Sequence, residues 1–164
     1  MKTKIKRKIP TNIPRNASKI VENNIVKGVI LANGETILEN AAIEPEIVDL
    51  CSFLNEMGAK ITEEPTSLTI DATKNLSSAS IKTLPFPGFP TDMQAQFSAL
   101  LCETEGNGII VETVFENRFL HIAELNRMGA NIRIDGRSSF IEGGKHLSGA
   151  HVTALDLRGG ASLV

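Results

Sequence analysis

The sequence has no tryptophan and no tyrosine, and its seven phenylalanines are too few to fill an interior. Any core must therefore be built from aliphatic side chains, and 41% hydrophobic residues in a chain of 164 supply enough of them for one domain or two small ones. A charge excess of one sign is also missing. Seventeen Lys and Arg stand against nineteen Asp and Glu, for a net charge of −2, so no global basic field points to nucleic acid as a partner. No run approaches the roughly 18 apolar residues that cross a membrane, which argues against a membrane partner. The opening MKTKIKRKIP is basic, but no apolar stretch follows it, which excludes a secretory signal. Lys2, Lys4, Lys6, Arg7 and Lys8 there alternate with Ile5 and Ile9 and read as a solvated tail or edge strand, with an anion-binding arm as the alternative.

Cysteine is nearly absent. Cys51 and Cys102 lie far apart, each inside an apolar helical pattern, and read as reduced core thiols of a cytoplasmic protein rather than a disulfide or metal pair. His121, His146 and His151 have no ligand spacing to any cluster of Cys, Asp or Glu. The segment GGKHLSG does not follow a strand and open a helix, as a phosphate loop must. No metal and no cofactor is expected.

What the sequence does contain is a repeat. FLNEMGAKI (Phe53 to Ile61) returns as AELNRMGANI (Ala123 to Ile132), with Leu54, Asn55, Met57, Gly58, Ala59 and Ile61 matched 71 residues later. Upstream, ILENAA echoes IVETVFEN with a small length change; downstream, SLTID echoes SFIEG. Each copy reads as a strand (Glu35 to Glu39; Gly108 to Val114), a helix and a closing hairpin. Ile47, Leu50, Cys51 and Leu54 form one helical apolar face; Leu120, Leu125 and Met128 form the other. Pro45 suits a first helical turn, where its missing N–H costs nothing. Gly58 and Gly129 suit the position just past a helix end, where φ is often positive. Asp135-Gly136 reads as a tight hairpin turn.

Between the copies, Ala79 to Leu84 reads as a strand. Thr91 reads as an N-cap with Gln94 as its capping-box partner, opening a helix from Asp92 to about Glu103. Helix is also expected over Asn24 to Ala32, strand over His151 to Asp156, and the start of a helix over Ala161 to Val164, where the chain looks cut. The expected class is α/β (α+β), with roughly two β-α-β-α-β-β units of about 70 residues and helices on one face of each sheet. The expected division is a basic segment 1–23, a first partial unit 24–78, a second unit 79–150 and the start of a further unit 151–164.

Between Ala79–Leu84 and the helix lies LPFPGFPTDMQAQF, a stiff apolar loop that delivers Asp92 to one place. PFPGFPTDMQAQF, ETVFENRFLHIAELNRMGANI, LSGAHVTALDLRGGASLV and ENAAIEPEIVDLCSFLNEMGAKI together resemble the UDP-N-acetylglucosamine 1-carboxyvinyltransferases, or UDP-N-acetylglucosamine enolpyruvyl transferases. The resemblance runs from Asn24 to Val164 and fades before Asn24. It implies repeated βαβαββ units in an inside-out α/β barrel, with an active site between two domains. It also implies two substrates, phosphoenolpyruvate and UDP-N-acetylglucosamine. The enolpyruvyl group moves to the sugar 3-hydroxyl through a tetrahedral intermediate, with release of phosphate, in the first committed step of peptidoglycan synthesis.

The resemblance assigns Asp92 to the sugar 3-hydroxyl as proton acceptor, whereas its spacing alone reads as an ordinary first-turn helix acid. A helix N-terminus favours the ionised carboxylate, so positioning must supply much of its value as a base. Val114 matches a residue whose backbone contacts the sugar nucleotide; without the resemblance it reads as core. Arg118, in the turn Glu116-Asn117-Arg118, has a planar fork suited to carboxylate or phosphate, or is a solvated surface arginine. Asp156 and Arg158, in DLRGG, resemble residues at the mouth of the cleft. Glu44 and Glu46 read as acids complementing a helix dipole.

Much of the family pattern is missing. There is no N-terminal Lys-Asn pair for phosphoenolpyruvate, no mobile loop with cysteine or aspartate and an arginine, no RPVDLH-type uridine segment and no C-terminal phosphate-clamping arginine. SKIVENN stands where the family has SVGAT, with Ser18 in place of the serine. Between Ile61 and Thr66 the sequence jumps from one repeat into the tail of the next, as if a whole unit were deleted in phase. The expectation is a fragment with little activity alone, in which the phosphoenolpyruvate site is largely missing and exposed unit faces promote self-association. The alternative is a non-catalytic sugar-nucleotide-binding or interaction module. A shikimate enolpyruvyl transferase fits these motifs less well.

Overall fold

The computed structural model describes residues 5–7, 34–39, 45–65, 67–72 and 75–163. The chain divides into two compact units, Met1–Leu76 and Ser77–Val164. The first contains β1 (Ile5–Arg7), β2 (Glu35–Glu39), α1 (Pro45–Glu56), β3 (Lys60–Glu64) and β4 (Ser67–Asp71). Its sheet has the order β1-β2-β4-β3, with β1 parallel to β2 and the remaining pairs antiparallel. Pro45 opens α1, and Ile47, Leu50, Cys51 and Leu54 are all buried at the expected helical spacing. Leu38 of β2 and Leu68 and Ile70 of β4 point into the same core. Gly58, at φ +104°, ends the helix: its N–H bonds to Asn55 O, and Ala59 N–H bonds to Leu54 O.

The second unit repeats that plan with β5 (Ser80–Lys82), a 3-10 turn (Thr91–Met93), α2 (Gln94–Glu103), β6 (Asn107–Val111), α3 (Leu120–Arg127), β7 (Asn131–Asp135), β8 (Ser138–Glu142) and α4 (Leu157–Ser162). Its sheet order, β5-β6-β8-β7, has the same directions as the first. β7 and β8 stand 71 residues after β3 and β4, whereas β6 stands 72 after β2, which is the length change visible between the echoed segments. Every residue of α2 from Gln94 to Cys102 is buried, as befits a helix surrounded by its unit rather than lying on its surface. Phe97, Leu100 and Leu101 are buried there, as are Ile81, Ile110, Ile122, Leu125, Ile132 and Ile141 in the rest of the unit.

Both cysteines are buried and unpaired. Burial, reinforced by Glu63, pushes the Cys51 thiol up to about 11. Burial, reinforced by Glu103, pushes Cys102 up to about 12, and its Sγ donates to Ser98 O within α2. These are core thiols held in the neutral form.

Several element boundaries differ from the sequence expectation, each for a local reason. β5 stops at Lys82 because Leu84 N–H turns to Phe89 O and starts the loop. β6 stops at Val111, not Val114, because the amides of Thr113, Val114 and Phe115 bond to side chains instead of a strand. In α3 the inward residues are His121, Ile122, Glu124 and Leu125; Leu120 is half exposed and is not part of the buried face. The β7–β8 loop is Gly136-Arg137, with φ +56° at Gly136, one residue later than expected. Residues 151–155 form no strand, because their backbone is held by side chains: Thr153 N–H by Glu124 and His151 O by Arg127. The last helix starts at Leu157 rather than Ala161 because Asp156 caps it. Asn24 to Ala32, Ser18, Glu44 and Val164 lie outside the described residues.

The loop between β5 and α2 is fixed by packing as much as by proline. Phe89 is buried and meets Phe97 edge-on, with centroids 5.1 Å apart at 80°, whereas Phe86 is 71% exposed. Phe89→Ala is expected to lower stability by about 3–5 kcal/mol in urea unfolding. Phe86→Ala is expected to stay within about 0.5 kcal/mol of wild type.

Candidate active site

The loop from Leu84 to Pro90 closes on itself through Leu84 N–H to Phe89 O and Gly88 N–H to Pro85 O, both 3.0 Å, and it contains a cis Phe86–Pro87 peptide. Pro90 then leads into the 3-10 turn that carries Asp92 ahead of α2. Thr91 is not the expected N-cap and makes no capping box with Gln94. Its hydroxyl donates to Glu112 Oε2 at 2.8 Å and accepts from Arg118 Nη1 at 2.8 Å, so it is not available to the helix. Gln94 is buried instead, and its Nε2 has no partner among the described residues.

Two guanidinium groups converge on Asp92. Arg118 Nη2 donates to Oδ1 at 2.7 Å, while Arg158 places Nε 2.6 Å from Oδ1 and Nη2 2.9 Å from Oδ2. The Arg158 contact is the bidentate fork that a planar guanidinium makes with a carboxylate. Asp92 and Arg118 are about one-fifth exposed and Arg158 is 43% exposed, so Arg158 is the outer of the two. Arg118 also lies over the Phe115 ring, 4.8 Å from its centroid, which braces its plane from the other side.

Arg158 arrives by a route of hydrogen-bonded ties, two to side chains and one to backbone. Leu147 N–H bonds to Glu103, Ser148 N–H to Met128 O and Thr153 N–H to Glu124, leading the chain along the ends of α2 and α3. Asp156 Oδ1 then accepts the N–H groups of Arg158 and Gly159, at 2.8 and 2.7 Å, and starts α4. Gly159 permits close packing on α3, since a Cβ there would stand 3.2 Å from His121 Cβ and 2.9 Å from Asp156 Oδ2.

The structure thus brings Asp92, Arg118 and Arg158 into direct contact and uses Asp156 as the cap that positions Arg158. Val114 is partly exposed, and its N–H is bonded to Glu112. Glu116 is exposed and pairs weakly with Arg137 at 3.5 Å; Glu46 belongs to α1, in the first unit.

The residue that sequence reading missed is Glu112. It has no exposed surface, and its carboxylate accepts from Thr83 Oγ1 and Thr91 Oγ1 at 2.8 Å and from the amides of Val114 and Phe115 at 2.9 and 3.1 Å. An acid directly extending the apolar strand Gly-Ile-Ile-Val was the available signal, because a buried carboxylate there has to be bonded from every side. His121 was also passed over. Its Nε2 lies 3.2 Å from Ser98 Oγ, and burial lowers its pKa to about 4; Asp156 opposes that shift and Arg118 adds to it.

These features meet a family. The model of the EPSP synthase family (3-phosphoshikimate 1-carboxyvinyltransferase) matches residues 11–79 and 66–164, and the chain belongs to that family. It is 40% identical over 209 positions to UDP-N-acetylglucosamine 1-carboxyvinyltransferase 1 of Caldanaerobacter subterraneus subsp. tengcongensis, covering 86% of this chain and 50% of that protein. The UDP-N-acetylglucosamine 1-carboxyvinyltransferase of Synechocystis is 38% identical, covering 85% of this chain and 48% of that protein. The chain therefore spans about half the length of these relatives. An alignment of 209 positions also exceeds the 164 residues available, so the relatives hold internal residues that this chain lacks. The two matched stretches of the family model overlap at 66–79, so both claim β4. Among solved structures, the enolpyruvyl transferase NikO from Streptomyces tendae shares the fold at a TM-score of 0.74 and 24% identity, over 88% of this chain and 34% of that one. EPSP synthase from Acinetobacter baumannii shares it at 0.63 and 17%, over 96% and 37%.

The buried histidine generates a test. Its folded pKa lies below its unfolded value, so the neutral imidazole favours folding above about 6.5, and that contribution is lost as pH falls from 6.5 toward 4. Stability is expected to drop by about 3 kcal/mol across that window from this group. His121→Gln is expected to flatten that part of the pH profile in urea unfolding measured between pH 7 and pH 4.

Proposed function

We propose that this chain carries the sugar-nucleotide half of a carboxyvinyltransferase site. Its ligand is UDP-N-acetylglucosamine, and the reaction it descends from opens bacterial peptidoglycan synthesis in the cytoplasm. The observation that carries the reading is the convergence of Arg118 and Arg158 on Asp92, beside the Val114 turn, in a chain 40% identical to a named transferase of this kind.

In that reaction the sugar 3-hydroxyl oxygen bonds to C2 of phosphoenolpyruvate, and a proton adds to C3. The tetrahedral adduct then loses phosphate and a C3 proton. Asp92 is the group that accepts the hydroxyl proton. A carboxylate bonded to two guanidinium groups stays ionised and oriented, which makes it a weak base in a fixed place, so its contribution is geometric. The hydroxyl approaches Asp92 on the side of Arg158, the outer guanidinium, while Arg118 holds the carboxylate from within. Val114 O and Asp156 stand as further contacts for the sugar nucleotide.

The departing phosphate requires fixed cationic donors of its own. Both arginines of this cluster are committed to Asp92. That favours a second reading, a sugar-nucleotide-binding module without turnover, for which another polypeptide supplies the phosphate-gripping half.

Titration of the labelled chain with UDP-N-acetylglucosamine is expected to give saturable NMR shifts at Asp92, Val114, Arg118 and Arg158, and Asp92→Asn is expected to weaken binding by about tenfold. With phosphoenolpyruvate added, phosphate release is expected to stay at background. Turnover matching full-length relatives would overturn the half-site reading, and absence of saturable binding would overturn the ligand assignment.

A further inference from the structure

We infer that Glu112 is the positioning residue of this site: its buried carboxylate sets the distance between the Asp92–Arg118 pair and the Val114 backbone. The inference rests on the proposed role of Asp92. Glu112 has no solvent-exposed surface, and it acts through two relays. In the first, Arg118 Nη1 donates to Thr91 Oγ1, and the Thr91 hydroxyl donates to Glu112 Oε2. In the second, Thr113 N–H donates to Thr83 Oγ1, and the Thr83 hydroxyl donates to Glu112 Oε1. The same Oε1 accepts the amides of Val114 and Phe115 directly.

A hydroxyl has one hydrogen to donate. Because Glu112 is an acceptor, the Thr91 and Thr83 hydrogens both turn toward it and their lone pairs turn outward. For Thr91 the outward lone pair is what Arg118 binds. The charge of Glu112 therefore fixes the direction in which Arg118 presents its second nitrogen to Asp92. The same carboxylate draws the amides of Val114 and Phe115 into the turn that sets the Phe115 ring beneath Arg118. β5, the 3-10 turn and the end of β6 are thereby tied to one group.

An amide at this position reverses one half of the pattern. In Glu112→Gln the oxygen that receives three donors has to remain oxygen, so the amide nitrogen faces Thr91 and donates to it. Thr91 Oγ1 then accepts from both the new amide and Arg118 on its two lone pairs, its own hydrogen turns out of the relay, and the competing donor reorients and weakens the Arg118 contact. Thr91→Val breaks the same relay from the other side without disturbing the Val114 and Phe115 amides.

The test uses the full chain in four forms: wild type, Glu112→Gln, Thr91→Val and Thr91→Ser. Urea unfolding is run beside NMR of the Arg118 guanidinium and the Val114 and Phe115 amides, and affinity for UDP-N-acetylglucosamine is measured by titration. Wild type and Thr91→Ser are expected to show slowly exchanging Arg118 Nη protons. Thr91→Val is expected to lose them and Glu112→Gln to speed their exchange, both while still folding cooperatively. Among the single variants, only Glu112→Gln, which exchanges the carboxylate acceptor of the two amides for a neutral amide oxygen, is expected to shift their signals. Affinity is expected to fall about tenfold in both, with the double variant no worse than either alone. A folded Glu112→Gln chain with Arg118 and both amides at wild-type positions would overturn the inference. If Glu112→Gln does not fold, an unchanged Arg118 signal in Thr91→Val overturns it instead. If wild type binds no sugar nucleotide, the functional proposal fails, and the guanidinium and amide signals still decide the role of Glu112.

Discussion

A carboxylate with no exposed surface has to find its hydrogen bonds inside the protein, and Glu112 finds four. Leaving one buried ionised oxygen unmet costs more than any single surface contact returns. The chain around it is accordingly constrained. β6 gives up its ladder at Val111 so that two amides can turn inward, and Thr91 gives up helix capping to serve as donor. Neither adjustment makes sense from helix or strand propensity. Both follow once the acid is placed at the end of a buried strand.

The Asp92 cluster is built outward from that point. Phe89 and the loop closure fix where the 3-10 turn begins, Thr91 orients Arg118, and α4 carries Arg158 to the outer edge of the carboxylate. Partial burial sharpens these contacts, because the effective dielectric is lower there than at an open surface. The result is one carboxylate held by two guanidinium groups.

The repeat was legible in the sequence because it is written in the pattern of side chains that build it. The apolar spacing of Ile47, Leu50, Cys51 and Leu54 and the glycines at 58 and 129 required no tertiary knowledge, and the structure has them as expected. In the site, Asp92 and Arg118 were visible as chemical types in long shared motifs. What stayed hidden depended on partners distant in sequence. Leu120 was read as core from its type, but the inward face of α3 is turned to admit His121 against Ser98. Residues 151–155 look like a strand by composition, yet Glu124 and Arg127 satisfy their backbone. Thr91 had a local capping role available, and Glu112, twenty-one residues away, outcompeted it.

β4 is matched by both stretches of the family model, and it occupies in the first unit the slot that β8 occupies in the second. A chain whose copies share strand order, direction and phase can be severed in one hairpin and rejoined in another, and every rung at the scar still meets a rung. Its gene can then change in whole-module quanta, each jump conserving the geometry of the module that remains. For a protein built this way, architecture and chemistry can part company in a single recombination event.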